Sequence, residues 1–312
     1  MRRFCSKWEL VEDYKGELKM SNEEKEYLKN YNISKYDRPS IATDIVVFTI
    51  DTQESEDTRQ QPVRKLKVLL IKRASFPYKN LWALPGGFCR KNEEVFETAR
   101  RELYEETNVR DAYLTLSGIY GEPDRDPRGW IISHAFMALT DGRSCVLRAD
   151  TDAWEAKWFE VDIKASRLEK KCEKDEVYIK NQYLLRLTCD DEILSATVSE
   201  IKIYKNYHET ASYEIVQNQG LAFDHAKIIV NAFRNLQTNA ENDERRIFDL
   251  MPEQFTLTEL QSVFEVILQK ELVKPNFRRK IADFVIETQD METGRRFRAA
   301  KQFRRNVERF FV

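Results

Sequence analysis

The sequence predicts an α/β protein: a mixed domain of strands around one long helix, followed by a smaller basic unit built largely of helices. Three observations predict it. β-Branched runs at residues 41–50 and 66–71, with strand-like segments at 112–120, 130–139 and 156–161, surround a helical pattern at 93–107. Beyond residue 221 the apolar positions recur at helical spacing instead (Phe223, Ile228, Ile229, Ala232, Phe233). Charge divides the chain further on, within that helical part. Residues 271–312 hold eleven Lys and Arg against six Asp and Glu, a balance of +5, while the whole chain of 312 residues stands at −2 and the remainder therefore at −7. A basic tail on an acidic body points to a polyanion as one partner.

In chain order, residues 1–40 are polar and read as an N-terminal helical extension, its helix at 21–31, ended by the turn Tyr36-Asp37-Arg38-Pro39. The strands at 41–50 and 66–71 make a hairpin whose loop, 51–65, is poor in apolar residues. Asn92 is placed to cap the long helix. Residues 163–220, with strand-like stretches at 178–187 and 193–204, read as a β-rich elaboration that closes a first domain at 41–220. A linker helix at 221–236, a polar junction at 237–245, helices at 257–270 and 276–287, and a basic ribbon after Thr293-Gly294 make a second domain, 221–312.

Composition narrows the chemistry. Five cysteines (Cys5, Cys89, Cys145, Cys172, Cys189) are scattered and never spaced as CxxC, which fits reduced thiols in a cytoplasm. Three scattered histidines leave no histidine-based metal centre, so any metal is expected on carboxylates. No apolar run approaches the roughly 18 residues of a membrane span, and none follows Arg2 and Arg3 to make a signal peptide.

The stretch from Gly86-Gly87 through Glu93 to Arg101-Glu102-Leu103-Tyr104-Glu105-Glu106-Thr107-Asn108-Val109 carries the sharpest signal. At 100° per residue Glu102, Glu105 and Glu106 share an arc of about 100° on one helix face. Carboxylates that close repel, and a hard divalent cation such as Mg²⁺ or Mn²⁺ relieves the repulsion. An acidic helix face is ordinarily just solvated, but Val95, Ala99 and Leu103 line the adjoining stripe and anchor this one in a core. Arg101 stands four residues from both Glu97 and Glu105, able to offset part of the cluster. Gly86-Gly87 lets the backbone turn sharply and approach phosphate oxygens.

These residues resemble the Nudix signature, in which Gly, Glu and the segment Arg-Glu-aliphatic-x-Glu-Glu stand at fixed offsets; Gly87, Glu93, Arg101, Glu102, Leu103, Glu105, Glu106 and Val109 all fall on it. Asn108 replaces the signature's final Gly, at a helix end where Asn tolerates a left-handed backbone. The resemblance implies a Nudix α/β/α sandwich hydrolysing a phosphoanhydride of a nucleoside diphosphate derivative. Glu102, Glu105 and Glu106 would be metal ligands, and Glu93 and Arg101 would support the loop. Asp152 and Glu155 are candidates for the general base, or simply surface carboxylates.

Pro123-Asp124-Arg125-Asp126-Pro127-Arg128-Gly129-Trp130 joins two strands after that helix. Arg125 and Arg128 are either phosphate-binding forks at a pocket mouth or parts of a charged turn paired with Asp124 and Asp126. This segment, with residues 82–88 and 221–225, resembles a Nudix subgroup close to the ADP-ribose pyrophosphatases. Its members carry a C-terminal winged helix-turn-helix and include Nudix-related transcriptional regulators. The resemblance implies ADP-ribose as ligand; the basic tail points to double-stranded DNA as partner, and the limited surface of one winged module to a homodimer that pairs two.

The tail supports this on its own residues. Thr256 or Thr258 caps a helix with Leu257, Leu260, Phe264 and Ile267 as its core stripe. The next helix sets Arg278, Arg279 and Lys280 beside Phe277, Ile281 and Phe284, the arrangement of a recognition helix. Arg295, Arg296, Arg298, Lys301, Arg304 and Arg305 would form a wing on phosphates or the minor groove. The competing reading is a basic dimerisation domain. His225 is expected to cap or pack its helix rather than to act in catalysis. Two functions remain open and compatible: Mg²⁺-dependent hydrolysis of ADP-ribose or a relative, and ADP-ribose sensing by a transcriptional regulator.

Overall fold

The computed structural model describes residues 20–53, 62–110, 112–142, 153–173, 175–292 and 300–310. The chain divides into two compact units, residues 1–38 and 39–312. In the first, α1 (Asn22–Asn30) is the charged helix expected there, and it buries nothing. A reciprocal cap closes its start: the Glu24 amide donates to the Ser21 hydroxyl at 3.1 Å and the Ser21 amide to the Glu24 carboxylate at 2.6 Å.

In the second unit one nine-stranded sheet dominates. Its strands are β1 (Ser40–Gln53), β2 (Val63–Arg73), the short β3 (Trp82–Ala83), β4 (Tyr113–Tyr120), β5 (Ile131–Leu139), β6 (Ala153–Glu173), β7 (Glu176–Cys189), β8 (Glu192–Lys205) and β9 (His208–Gln219). They lie in the order β4-β5-β1-β2-β6-β7-β8-β9, with β3 on β2. β1 and β5 run parallel; the other pairings are antiparallel.

Period-two alternation on β1 builds two cores. Ile45 and Val47, with Leu69 and Phe136, meet Ala99 and Leu103 of α2 (Val95–Thr107) on one face. Val46 and Phe48, with Val68, Leu70 and Met137, belong to the other core with Ile228, Ile229, Ala232, Phe233 and Leu236 of α3 (His225–Asn242). Two helices thus sandwich the sheet, as the resemblance implied.

α2 starts later than expected. Asn92 is not its cap but a left-handed turn residue (φ 67°), and Glu94 stands at the N-cap. The cause is Glu93, whose carboxylate turns inward onto Thr98 and Arg101 and draws the chain out of the helix. At the other end Asn108 is left-handed, φ 60° and ψ 17°, the conformation its place in the motif requires.

Residues 163–220 complete the sheet as one long meander. The strands expected at 178–187 and 193–204 lie inside β7 and β8, but β6 runs on to Glu173 and β9 was not foreseen. β9 is an edge strand whose described positions are almost all exposed, so it carries little apolar alternation to read.

α3 continues through the polar stretch taken for a junction, because that stretch has partners. Gln237 donates to the Ile267 carbonyl at 2.9 Å and Glu241 pairs with Lys270 at 2.9 Å. A 3-10 segment (Glu244–Leu250) leads to α4 (Leu257–Leu268), capped by Thr256 rather than Thr258. α5 (Lys274–Ile281) ends well before residue 287. The β-branched pair Val285-Ile286 opens β10 (Val285–Glu292), which pairs with β11 (Ala300–Arg305) to form the hairpin of a wing. Arg64 of β2 clasps α4, donating to Ser262 at 2.7 Å and Glu259 at 3.1 Å.

Phe233 is 2% exposed at the centre of the α3 face. Phe233→Ala is expected to cost about 3–5 kcal/mol in chemical denaturation. Leu184→Ala, on the open face of β7 at 48% exposure, should stay within about 0.5 kcal/mol.

Candidate functional site

The loop before α2 is sewn to the start of β1. The Ile45 amide donates to the Pro85 carbonyl (2.8 Å), that of Thr43 to Gly87 (2.9 Å) and that of Cys89 to Ile41 (2.9 Å). Gly86 makes this approach possible, and Gly87 leaves room for Glu102 of α2. A Cβ on Gly86, whose φ is +155°, would stand 2.0 Å from the Thr43 carbonyl oxygen, and one on Gly87 would meet the Glu102 carboxylate at 2.4 Å.

Glu93 and Arg101 lock the loop to the helix. The Glu93 carboxylate accepts from Arg101 Nε (2.6 Å) and Nη2 (2.9 Å), from the Thr98 hydroxyl (2.8 Å) and from the Arg90 amide (3.1 Å). The Arg101 hydrogen bonds, aided by those from Arg90 and Thr98, outweigh partial burial and lower its pKa to about 2. Arg101 reaches on to Glu102 (2.5 Å), Glu105 (3.1 Å) and the Phe88 carbonyl (3.3 Å).

Glu102 and Glu106 line a cavity of about 260 Å³ together with Gly86, Gly87, Thr43 and Asp44. The expected convergence of Glu102, Glu105 and Glu106 needs correction. Among the described residues no three acidic, histidine or cysteine side chains form a metal-holding group as they stand. Each carboxylate relieves its repulsion on a nearer partner: Glu102 and Glu105 on Arg101, Glu105 also on Arg90 (3.4 Å), and Glu106 on the Gly86 amide (2.8 Å). The donor set nonetheless fits a hard divalent ion. Its oxygens are carboxylates, and the Arg101 guanidinium already bridges Glu102 and Glu105 as a cation would.

Arg125 and Arg128 part company. Arg125 has a 5% exposed side chain and pairs with neither neighbour in its loop; it donates to Asp224 (2.7 and 2.9 Å) and Asp44 (3.1 Å) beneath the cavity. It lines the cavity with its fork held by these two carboxylates, which a phosphate would have to share. Arg128 does stay in its own turn, doubly bonded to Asp126 (2.6 and 2.9 Å). Its guanidinium lies over the rings of Phe88 (4.9 Å) and Phe223 (5.3 Å) at the cavity wall.

Sequence reasoning missed the floor of the site. Asp44 accepts from the Ser133 hydroxyl (2.5 Å) as well as Arg125, and His225 stands 3.4 Å away. The Leu84 amide donates to His225 Nδ1 at 2.8 Å, so Nε2 carries the ring proton and faces Asp44. Burial would raise the Asp44 pKa, but His225, Arg125 and Ser133 hold it well below the usual carboxylate range. His225 begins α3 and packs, as expected, yet it also joins that helix to the glycine loop. Of the candidate bases, Glu155 is paired with Lys157 (2.7 Å) and is not among the residues lining the cavity; Asp152 lies outside the described residues.

On α5, Arg278 and Arg279 are exposed. Lys280 is not available in the same way: it pairs with Glu244 and donates to the Glu241 carbonyl at 3.0 Å. In the wing Arg305 is turned inward to Asp249 (2.7 Å), and Lys301 pairs with Glu287 (2.8 Å), while Arg304 is exposed. Arg295, Arg296 and Arg298 lie outside the described residues.

Arg125→Met removes the guanidinium shared by Asp44 and Asp224, leaving them only Ser133, His225 and Lys227, and is expected to cost about 3–5 kcal/mol. Arg128→Ala should cost about 1 kcal/mol or less. Thermal melts of both variants check the contrast. The Glu93 clamp adds a pH signature. Its depressed folded pKa makes its contribution complete above the ordinary value of 4.5 and lost as pH falls toward about 2. The melting-temperature gap between wild type and Glu93→Gln should close over that window.

The NUDIX domain family matches residues 46–180, and the NrtR DNA-binding winged helix domain matches residues 247–305. The chain is 27% identical over 284 residues to the ADPR responsive transcriptional repressor NtrR of Acinetobacter baylyi, covering 90% of this chain and 88% of that one. It is 45% identical over 96 residues to the ADP-ribose pyrophosphatase of Methanocaldococcus jannaschii, 31% of this chain and 56% of the relative. The crystal structure of Shewanella oneidensis NrtR complexed with a 27mer DNA is similar at a TM-score of 0.56 and 27% identity, covering 86% of this chain and 94% of that one. A MutT/nudix family protein from Enterococcus faecalis gives 0.64 at 25% identity, covering 97% and 100%. The chain thus joins a Nudix domain to an NrtR-type winged helix domain, and it is homologous both to the NrtR repressors and to the Nudix hydrolases.

Proposed function

We propose that the cavity binds ADP-ribose or a close relative, that the C-terminal unit binds duplex DNA as part of a homodimer, and that the ligand weakens the DNA complex. The observation that carries this reading is the placement of α3. It begins on the cavity floor with Asp224 at its cap and His225 in its first turn, and its far end holds α4 and α5 through Gln237 and Glu241, joined by Glu244 of the 3-10 segment that follows. A ligand that shifts the floor therefore acts on the helix that seats the winged unit. In this reading residues 41–220 take the ligand, 221–312 take the DNA, and 1–40 are an extension. The repressor of A. baylyi, similar across both parts, supports the ligand and the partner.

A second reading, compatible with the first, is hydrolysis, favoured by the survival of every acidic position of the motif. A divalent ion held by Glu102, Glu105 and Glu106 would supply charge neutralisation at the phosphoryl oxygens and acidify a bound water. The chain's own part is positioning. Glu93 and Arg101 hold the Gly86-Gly87 loop against the acidic helix face, and Arg128 lies along the cavity wall where it would meet the diphosphate. Arg278 and Arg279 on α5 would contact DNA, with Arg295 and Arg296 in the wing.

Glu105→Gln is expected to abolish Mg²⁺-dependent release of AMP from ADP-ribose at limiting Mg²⁺ without loss of fold. Undiminished turnover would remove that ligand assignment. Arg128→Ala should raise KM more than it lowers kcat. For DNA, fluorescence anisotropy with a duplex selected by the protein from a random pool should show binding that falls with salt. Arg279→Ala should weaken it, and ADP-ribose should release it. Absence of binding even at low salt leaves only the hydrolase.

A further inference from the structure

Thr43 is 1% exposed, lines the cavity beside Gly86, Gly87, Glu102 and Glu106, and its Oγ1 has no hydrogen-bond partner among the described residues. A buried hydroxyl left unmatched is costly, and native structures rarely keep one without a use. Its position is firmly set. The Thr43 amide donates to the Gly87 carbonyl (2.9 Å), and the Thr43 carbonyl lies where a Cβ on Gly86 would have to go. Several donors around the cavity are committed: Arg125 to two carboxylates, Arg128 to Asp126 and the Gly86 amide to Glu106. Each would have to give up a contact to bind an anion; the Thr43 hydroxyl would not.

From this we propose that Thr43 is a further ligand-binding residue, its hydroxyl donating a hydrogen bond to a phosphoryl oxygen of the bound diphosphate. The proposal rests on the reading that this cavity takes a nucleoside diphosphate derivative. It makes an unusual combined demand. Valine has the shape of threonine without the hydroxyl, so Thr43→Val removes a desolvation cost in the ligand-free protein and a contact in the complex. Stability and affinity therefore move in opposite directions.

One alternative partner is near. His134 is the register neighbour of Thr43 across the parallel β1–β5 pair, and its Nδ1 also has no hydrogen-bond partner among the described residues. If the hydroxyl served that imidazole instead, Thr43→Val would destabilise the ligand-free protein.

The test uses the full chain and the α,β-methylene analogue of ADP-ribose in Mg²⁺, with calorimetric affinity and ligand-free melting temperature read together. Thr43→Val is expected to bind on the order of tenfold more weakly while melting at or above wild type. Thr43→Ser, which keeps the hydroxyl, should recover most of the affinity. Unchanged affinity in Thr43→Val, or a lowered ligand-free melting temperature in that variant, overturns the proposal. Failure of the wild type to bind the analogue overturns the ADP-ribose reading itself, and the proposal with it.

Discussion

A guanidinium buried between two carboxylates holds the ligand cavity and the C-terminal helices in one arrangement. Arg125 leaves its own loop to bridge Asp44 of β1 and Asp224 at the start of α3. Burying such a group costs several kcal/mol per ion, recovered only when geometry and hydrogen bonding are close to complete. Here they are: Asp224 is held by both arms of the fork, and Asp44 also takes Ser133 and His225. Such a cluster tolerates little displacement. It therefore sets where α3 begins, and a stiff helix of eighteen residues carries that setting to the winged unit.

The motif helix works by a related balance. Three carboxylates on one face would repel, and in this structure Arg101, Arg90 and the Gly86 amide take up the negative charge. The same groups define what a ligand must compete with. On the proposed reading a diphosphate and its counter-ion would enter a cavity whose charges are already paired, and recognition would be an exchange of partners rather than simple attraction. That exchange is what would let binding be felt at Asp44, Asp224 and α3.

Much of this was legible in the sequence because it is local. The acidic arc follows from helix geometry, the sharp turn from the Gly86-Gly87 pair, and left-handed Asn108 from its place at a helix end. α4 announced itself through a cap and an apolar stripe, and the wing through the basic run after Thr293-Gly294. What stayed hidden joins positions far apart in the chain: Arg125 with Asp44 and Asp224, Arg64 with Glu259, and Lys280 with Glu244. No spacing rule encodes such pairs. Residues 237–242 read as a linker because their polar side chains bind α4 and nearby lysines rather than water, and α5 ended early because Val285 and Ile286 pair better in a hairpin than they pack in a helix.

The central claim is that ligand and DNA act on one another through α3, and thermodynamic linkage offers its most direct test. The affinity for the non-hydrolysable ADP-ribose analogue would be measured by titration with the protein alone and with saturating duplex DNA. The account predicts weaker ligand binding on DNA, by the same factor by which ligand weakens the DNA complex, about 5- to 150-fold for an ordinary coupling. An affinity unchanged by DNA would contradict it, whatever each partner does alone.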